Sequence, residues 1–318
     1  MHYLKTGKRF ILLRRWAADI STLWIEQYFA DVDVERITNG KYNCITVWRK
    51  VLYFGNIDET NKVKKGEKIG YVIALSTEQH MSSASFLDVD MIIFEEFMER
   101  GGIYLSHEPD RLMIFYNTID RKRGTTQLWM VGNTISKVNP YLRDWGLQPI
   151  IRNQKQGEIK IITIHNEEND VTLAIEYCES SGGKQMAIGN ASKMIDTGAW
   201  QSEPQPHLPH SRKDYTVVYR IGFQFQGFKF IGEYLKYNNK SEYCWFIYPK
   251  YNEFKDKTIV ISDVVKLDSY WQRNIYDITI KNDNLKLLLD TFRESNIFYC
   301  DDMTGTDFKE AIDFQIRR

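Results

Sequence analysis

The segment Met91-Ile92-Ile93-Phe94-Glu95-Glu96 constrains this chain more than any other. Its apolar residues run on without polar alternation, which fits a strand covered on both faces, as in a parallel sheet. Two acids follow at once, where such a strand reaches its carboxyl end. Open α/β sheets bind their ligands at that end. The pattern is that of a Walker B strand. Glu95 would hold the hydration shell of Mg2+, and Glu96 would polarise an attacking water. Aspartate is commoner at the first position, so Glu95 departs from the pattern. From these residues alone a second reading stays open: a core strand followed by acids in the first turn of a helix, where the macrodipole favours them.

The neighbouring sequence supplies a sheet for this strand. Arg9 to Leu13, Ile69 to Leu75 and Gln127 to Val131 read as further strands. Trp16, Ile20, Leu23, Trp24 and Phe29 recur at helical spacing and predict an amphipathic helix. Pro109-Asp110 opens another helix, with Leu112, Phe115 and Ile119 on one side. Asn39-Gly40 is a hairpin turn signal. Strands alternating with helices predict an α/β domain with a mostly parallel sheet.

Two further segments carry candidate chemistry. Leu128-Trp129-Met130-Val131-Gly132-Asn133 is an apolar strand ending in a small residue and an amide. Asn133 there could sense a γ-phosphate or an attacking water; Gly-Asn is also an ordinary strand-ending turn. Arg121-Lys122-Arg123 ends the preceding helix. In ring ATPases an arginine reaches the neighbouring subunit's nucleotide and neutralises charge in the transition state. A basic helix end that complements the dipole is the plainer alternative. Lys62, Lys64, Lys65 and Lys68, which flank a glycine in an expected turn, and Lys229, Lys236 and Lys240 could touch a DNA backbone, or be solvated surface.

Composition narrows the classes. Lys plus Arg and Asp plus Glu both number 42, so any nucleic-acid contact must use local patches. There is no run of 18 apolar residues and no signal-peptide core, so a membrane role is not expected and the reading is cytoplasmic. Cys44, Cys178, Cys244 and Cys300 lack metal-ligand spacing and are expected to be buried or half-buried free thiols.

Phe10-Ile11-Leu12-Leu13-Arg14-Arg15, Ile92-Ile93-Phe94-Glu95-Glu96-Phe97, and Val131-Gly132-Asn133 running on to Val138-Asn139-Pro140-Tyr141 together resemble the DNA encapsidation proteins. These are the packaging ATPases of small short-tailed phages, related to terminase large subunits. The resemblance spans most of the chain, and its Asn-Pro-Tyr segment is the most specific piece. It implies Glu95 as the Walker B acid at the metal, Glu96 as the catalytic glutamate and Asn133 as a coupling residue at the nucleotide. Arg121, with Arg123 second, is implied as the trans-acting arginine, and Arg14 and Arg15 as residues near the nucleotide. It further implies ATP and Mg2+ as cofactors. The implied partners are double-stranded DNA, the portal of the procapsid and further copies in a homo-oligomeric ring. A packaging RNA is one more candidate partner. The implied location is the host cytoplasm, with transient attachment to the procapsid.

The chain departs from that family in one respect. No segment fits G-x-x-x-x-G-K-[ST]: Gly182-Gly183-Lys184 lies far downstream, and Lys5-Thr6-Gly7-Lys8 has one glycine. The expected fold is therefore a P-loop NTPase-like sheet lacking its first strand and Walker A loop, over residues 1–188. An N-terminally truncated chain is the simplest account. Without the loop, Glu95 and Glu96 are expected only to repel a nucleotide, and the chain is expected not to hydrolyse ATP by itself. A linker is expected at 189–211, where Pro204, Pro206 and Pro209 cluster. Residues 212–318 are expected to form an RNase H-like α+β domain, a strand meander followed by helices. Its first long strand, Val217 to Phe230, has no acid, with Asp214 before it and Glu233 after it. Asp263, Asp268, Asp301 and Asp302 look like turn or helix-start residues, so this domain reads as a non-catalytic relic that docks or grips DNA. Two other readings remain: a non-enzymatic DNA- or capsid-binding relative of the motor, and a metal-dependent nuclease.

Overall fold

Arg9–Arg14 forms the central strand β1 because Ile11, Leu12 and Leu13 have no polar atom to offer solvent; each is at most 1% exposed. In the computed structural model, residues 1–81, 85–99, 103–165, 170–179, 198–255, 258–262, 271–272 and 290–316 are described. The chain divides into two compact units. The first comprises Met1–Glu99 and Ile103–Asn133, and the second comprises Arg100–Gly102 and Thr134–Arg318. The division falls after Asn133, not in the proline-rich stretch. The described part of that stretch instead packs inside the second unit. There Glu203 N–H donates to Thr306 Oγ1 at 3.0 Å and Gln205 N–H to Asp302 Oδ1 at 2.9 Å.

In the first unit, Cys44–Trp48 (β2), Val51–Ile57 (β3), Val63–Ala74 (β4), Val89–Glu95 (β5) and Gln127–Val131 (β6) join β1 in one sheet. The order is β2-β3-β4-β1-β5-β6. β4, β1, β5 and β6 run parallel, and β2, β3 and β4 pair antiparallel. The sheet is thus mixed, with a parallel core.

Helices cover this core. Glu108–Asp120 buries Leu112, Phe115 and Ile119, the face that the spacing selects. The helix expected across Trp16 to Phe29 is shorter. Ser21 Oγ accepts from Trp24 N–H at 3.1 Å and caps a helix over Thr22–Tyr28, after a 3-10 turn at Ala17–Asp19. Asn39-Gly40 is not a hairpin turn. Both residues have positive φ just after the short helix Val34–Ile37, and Gly40 N–H returns to Glu35 O at 2.8 Å, closing that helix. The hairpin lies one strand later, at Arg49-Lys50, whose φ of 47° and 66° suit the twist of paired strands. The four lysines from 62 to 68 follow the Asp58 turn and mostly lie along β4.

In the second unit, Tyr215–Phe225 (β9), Phe228–Tyr237 (β10) and Tyr243–Pro249 (β11) form the expected meander. What reads as one strand from Val217 to Phe230 is two, because Gln226-Gly227 turns the chain with φ of 51° and 81°. Val260–Ser262 (β12) adds parallel to β9, Trp271–Gln272 (β13) to β12, and Ile297–Tyr299 (β14) to β11. The resulting order is β13-β12-β9-β10-β11-β14. Phe223, Phe228 and Phe230 pack with Trp245 and Phe308 in its core, the last from the helix Asp302–Ile316. A separate hairpin pairs Ile159–His165 (β7) with Asp170–Glu176 (β8). Asn139 caps the helix Pro140–Asp144, its Oδ1 accepting from Leu142 N–H at 3.0 Å, and Tyr141 is fully buried. The expected helix at Leu285 to Phe292 lies largely outside the described residues.

Glu233 is not beyond the strand pair but inside β10, 3% exposed. It accepts from Arg212 Nη2 at 2.5 Å and Arg220 Nε at 2.6 Å, with Tyr248 Oη at 3.2 Å. Burial alone would raise its pKa, but the two guanidiniums outweigh burial and hold the carboxyl below the usual glutamate range. A depressed folded pKa contributes stability that is complete above about pH 4.3 and is lost as pH falls through the folded value. In thermal melts Glu233→Gln should therefore melt well below wild type at pH 7, with the gap narrowing steadily below pH 4. A gap independent of pH would contradict this.

Candidate functional site

Parallel strands bring their carboxyl ends to one side of the first unit. β1 ends at Arg14 and β5 at Glu95, and Val131 of β6 lies in register with Glu95. Asn133 follows two residues beyond Val131, so the double acid, the amide and the arginine pair converge on one end of the sheet. Phe97 N–H donates to Val131 O at 3.3 Å, which ties the loop after Glu96 to the end of β6. Gly132 permits this approach, because a Cβ there would lie 3.1 Å from the Phe97 ring.

Arg14 is the last residue of β1 and Arg15 lies in the bend just beyond it, and the two side chains take different partners. Arg14 serves the glutamates. Its Nη2 donates to Glu96 Oε2 at 2.7 Å, its Nη1 lies 3.5 Å from Glu95 Oε2, and its guanidinium sits 4.7 Å from the Trp24 ring. Among the described residues Arg14 Nε is buried with no hydrogen-bond partner. On the other side of Glu95, Tyr28 Oη donates to Oε1 at 2.5 Å. Burial and the Glu95 carboxylate raise the Tyr28 phenol, which stays protonated as a donor. Glu95 is thus held from two sides, while the Glu96 side chain is 61% exposed and its backbone has φ of 50°. The two carboxylates are therefore not bare charges within this chain.

Arg15 is 3% exposed and turned into the protein rather than toward a ligand. Its Nε donates to both oxygens of Glu108, at 3.0 and 2.9 Å, and Glu108 is fully buried at the start of the Glu108–Asp120 helix. The other arm donates to Phe97 O at 2.8 Å, Glu96 O at 3.1 Å and Glu99 Oε2 at 3.1 Å. Tyr104 stacks on the guanidinium at 4.8 Å, and burial pushes its phenol up to about 12. Arg15 thereby fixes the backbone that follows the double acid.

Arg121 and Arg123 are at the far end of the sheet. Arg123 donates to Val89 O at 2.9 Å, where β5 begins, and to Leu87, Ile119 and Asp120 carbonyls. β5 is seven residues long, so about 20 Å separates that point from Glu95. Within this chain neither arginine joins the acids, and Arg123 is committed to backbone carbonyls. Arg121 is exposed in a left-handed helix cap.

Sequence reasoning did not find Tyr28, Trp24, Glu99 or Glu108. Trp24 and Tyr28 are four apart on one helix face, and Glu108 is an acid in a helix's first turn; neither signal names a partner. Among the described residues no group of three His, Cys, Asp or Glu could hold a metal ion. Of the acids weighed for a nuclease, Asp301 caps the last helix through Thr304 N–H at 2.6 Å, and Asp302 Oδ1 accepts from Gln205. Asp263 and Asp268 lie outside the described residues. Cys178 and Cys300 are exposed, not half-buried as expected.

These features define an α/β protein with a charged site at the carboxyl ends of its parallel strands and a second, meander-based unit. The chain belongs to the podovirus DNA encapsidation protein (Gp16) family, whose pattern matches residues 1–223. The DNA packaging protein of Bacillus phage B103 is 29% identical over 169 residues, which cover 51% of this chain and 46% of that protein. That of Bacillus phage phi29 is 25% identical over 159 residues, covering 48% and 42%. The match therefore spans less than half the length of these curated relatives. The fold is similar to a chain of the bacteriophage phi29 viral genome packaging motor assembly. The TM-score is 0.54 at 17% identity, over 98% of this chain and 88% of that one.

Removing one member of a buried ion pair leaves the other charge uncompensated, at a cost of about 3–5 kcal/mol. Glu99 stays beside Arg15 in the variant, so Glu108→Ala should lower the stability of the first unit toward the lower end of that range, about 3 kcal/mol, in urea denaturation. A change below about 1 kcal/mol would show that Arg15 does not depend on Glu108.

Proposed function

We propose that this chain is the body of a viral genome-packaging motor subunit of the terminase-like ATPase class, which moves double-stranded DNA into a procapsid at the expense of ATP. The observation that carries the reading is the convergence of Arg14, Glu95, Glu96 and Asn133 at one end of adjacent parallel strands. Membership of the encapsidation family supports it. ATP and Mg2+ fit the donor set in part. Glu95, steadied by Tyr28 and Arg14, would hold the metal's hydration shell. Exposed Glu96 would orient a water, and Asn133 would report the state of the phosphate end. The buried, unpartnered Arg14 Nε–H is a donor suited to an anion. Bound Mg–ATP would supply the phosphoryl group and its electrophilic activation.

On this reading a strand and phosphate loop would complete the pocket. β6 leaves room for them. Among the described residues it is an edge strand, and its Trp129 and Val131 side chains are 55% and 52% exposed although both are apolar. A further parallel strand beside β6 would cover that edge, and the loop following it would face Glu95 and Asn133. The sheet then becomes that of a P-loop NTPase. In the second unit, three consecutive antiparallel strands with parallel strands added beside the first support an RNase H-like reading. Arg121, exposed at the other end of β5, is the better of the two candidates for a trans-acting arginine, which requires a homo-oligomeric ring. The portal of the procapsid and a packaging RNA are further proposed partners, reached in the host cytoplasm.

A second reading has one observation in its favour: no residue stretch here fits a phosphate loop. A non-enzymatic DNA- or capsid-binding relative would need none. The experiment joins the strand and phosphate loop of a phage relative ahead of Met1. The chain alone should show no ATP turnover, and the joined protein should hydrolyse ATP. Glu96→Gln should then lower turnover by about 10²–10⁴-fold while nucleotide binding persists. Turnover by the unextended chain, or by the Gln variant at the parent rate, would defeat the proposed roles. A silent joined protein would favour the non-enzymatic relative.

A further inference from the structure

The β2–β3–β4 hairpins carry a cluster that the proposed pocket does not use. At the β2–β3 turn, Trp48 is 47% exposed and Arg49 and Lys50 follow it. The Arg49 guanidinium lies 4.5 Å from the Trp48 ring on one side, and Lys65 Nζ of β4 lies 3.7 Å from it. Lys65 also approaches the Tyr53 ring at 5.6 Å, and Lys68 is in register with Tyr53 on the neighbouring strand.

Among the described residues, none of Arg49, Lys50, Lys65 and Lys68 has an acid within ion-pair distance. Acids of the surrounding surface are taken elsewhere: Glu67 by Lys41 and Asp88 by Arg9. Asp58 and Glu59 lie at the opposite turn, where Asp58 caps Thr60 and Lys62 backbone N–H groups. Lys68 Nζ bonds to Tyr71 Oη at 2.6 Å, and that phenol is 3.5 Å from Asp88. The whole chain is neutral, so this local excess is not a reflection of a basic protein.

An exposed cation cluster without acids is left for an external anion to neutralise. The ladder fixes its geometry. The Arg49 guanidinium and Lys65 Nζ lie 4.5 and 3.7 Å from the same Trp48 ring, so the two charges are close together. That is a compact cluster, suited to a short run of neighbouring phosphates, which follow one another at about 3.4 Å of helix rise per strand. Cation–π contacts hold Arg49 and Lys65 against Trp48, so the charges are presented by a paired ribbon and not by a free loop.

We infer that the Trp48–Lys50 hairpin, with Lys65 and Lys68, is a docking surface for the phosphate backbone of double-stranded DNA, distinct from the nucleotide pocket. The choice of duplex DNA as the occupant rests on the packaging reading; the surface itself does not. Contacts of this kind position a duplex without reading its sequence.

The test measures binding of the full chain, without nucleotide, to a 30-base-pair duplex of random sequence across a salt series. Wild type is compared with Arg49→Gln/Lys50→Gln/Lys65→Gln. These are surface positions, and an unchanged thermal melt confirms that the variant is folded. For each phosphate contact removed, the slope of log affinity against log salt should fall by about 0.9. The triple variant is expected to lose about 2–3 from the slope, and mixed-sequence duplexes should respond alike. An unchanged affinity and slope would overturn the assignment. So would equal binding of polyglutamate, or a loss seen only with single-stranded or hairpin RNA and not with duplex DNA. Because no nucleotide is present, failure here leaves the ATPase reading standing, and a joined protein without turnover leaves this surface standing.

Discussion

The buried pair of Arg15 and Glu108 is the interaction on which the rest of the first unit's site depends. A charge taken from water must find its partners within the protein, and here it finds them all on segments that surround the double acid. Glu108 brings the start of a helix, and its Oε2 also accepts Leu105 N–H at 2.7 Å. The carbonyls of Glu96 and Phe97 bring the loop. Since the guanidinium is planar and its donors are fixed, satisfying them sets the path of the chain out of β5. Glu96 then leaves the sheet in a left-handed conformation, and Arg14, the last residue of β1, holds both carboxylates.

The adjacent arginines divide the labour: Arg15 ties the chain together and Arg14 attends the two acids. Arg15 has no spare direction in which to meet a ligand. Arg14 keeps a buried, unpartnered Nε–H beside two acids, an arrangement costly to keep without a purpose. Tyr28 completes the hold on Glu95 with a phenol that burial keeps protonated. At the opposite end of β5, Arg123 performs a second clamping task by gathering backbone carbonyls. The strand is therefore pinned at both ends, and its carboxyl end carries the double acid.

Much of the first unit's fold was legible in the residues. β1, β5 and β6 are short apolar runs with clear ends, and the face of the Glu108–Asp120 helix follows from its spacing. Turns were less legible. Arg49-Lys50 and Gln226-Gly227 adopt positive φ with residues that rarely signal it, because pairing of the flanking strands outweighs the local preference. Asn39-Gly40 carries the signal and closes a helix instead. The boundary between units was also hidden. Proline-rich sequence suggests a linker, yet hydrogen bonds to Thr306 and Asp302 hold residues 203–205 against the last helix.

The sequence by itself determined that an apolar strand delivers two adjacent acids, that another strand ends in Gly-Asn, and that arginines follow the first strand. Those facts depend only on side-chain chemistry and spacing along one strand. Tertiary structure decided which strands are neighbours, and hence that Asn133, Glu95 and Arg14 share one end of the sheet while Arg121 and Arg123 do not. It also decided that Arg14 faces the acids and Arg15 the interior. Register and burial come from pairing between segments far apart in the chain, and no local pattern encodes the partner.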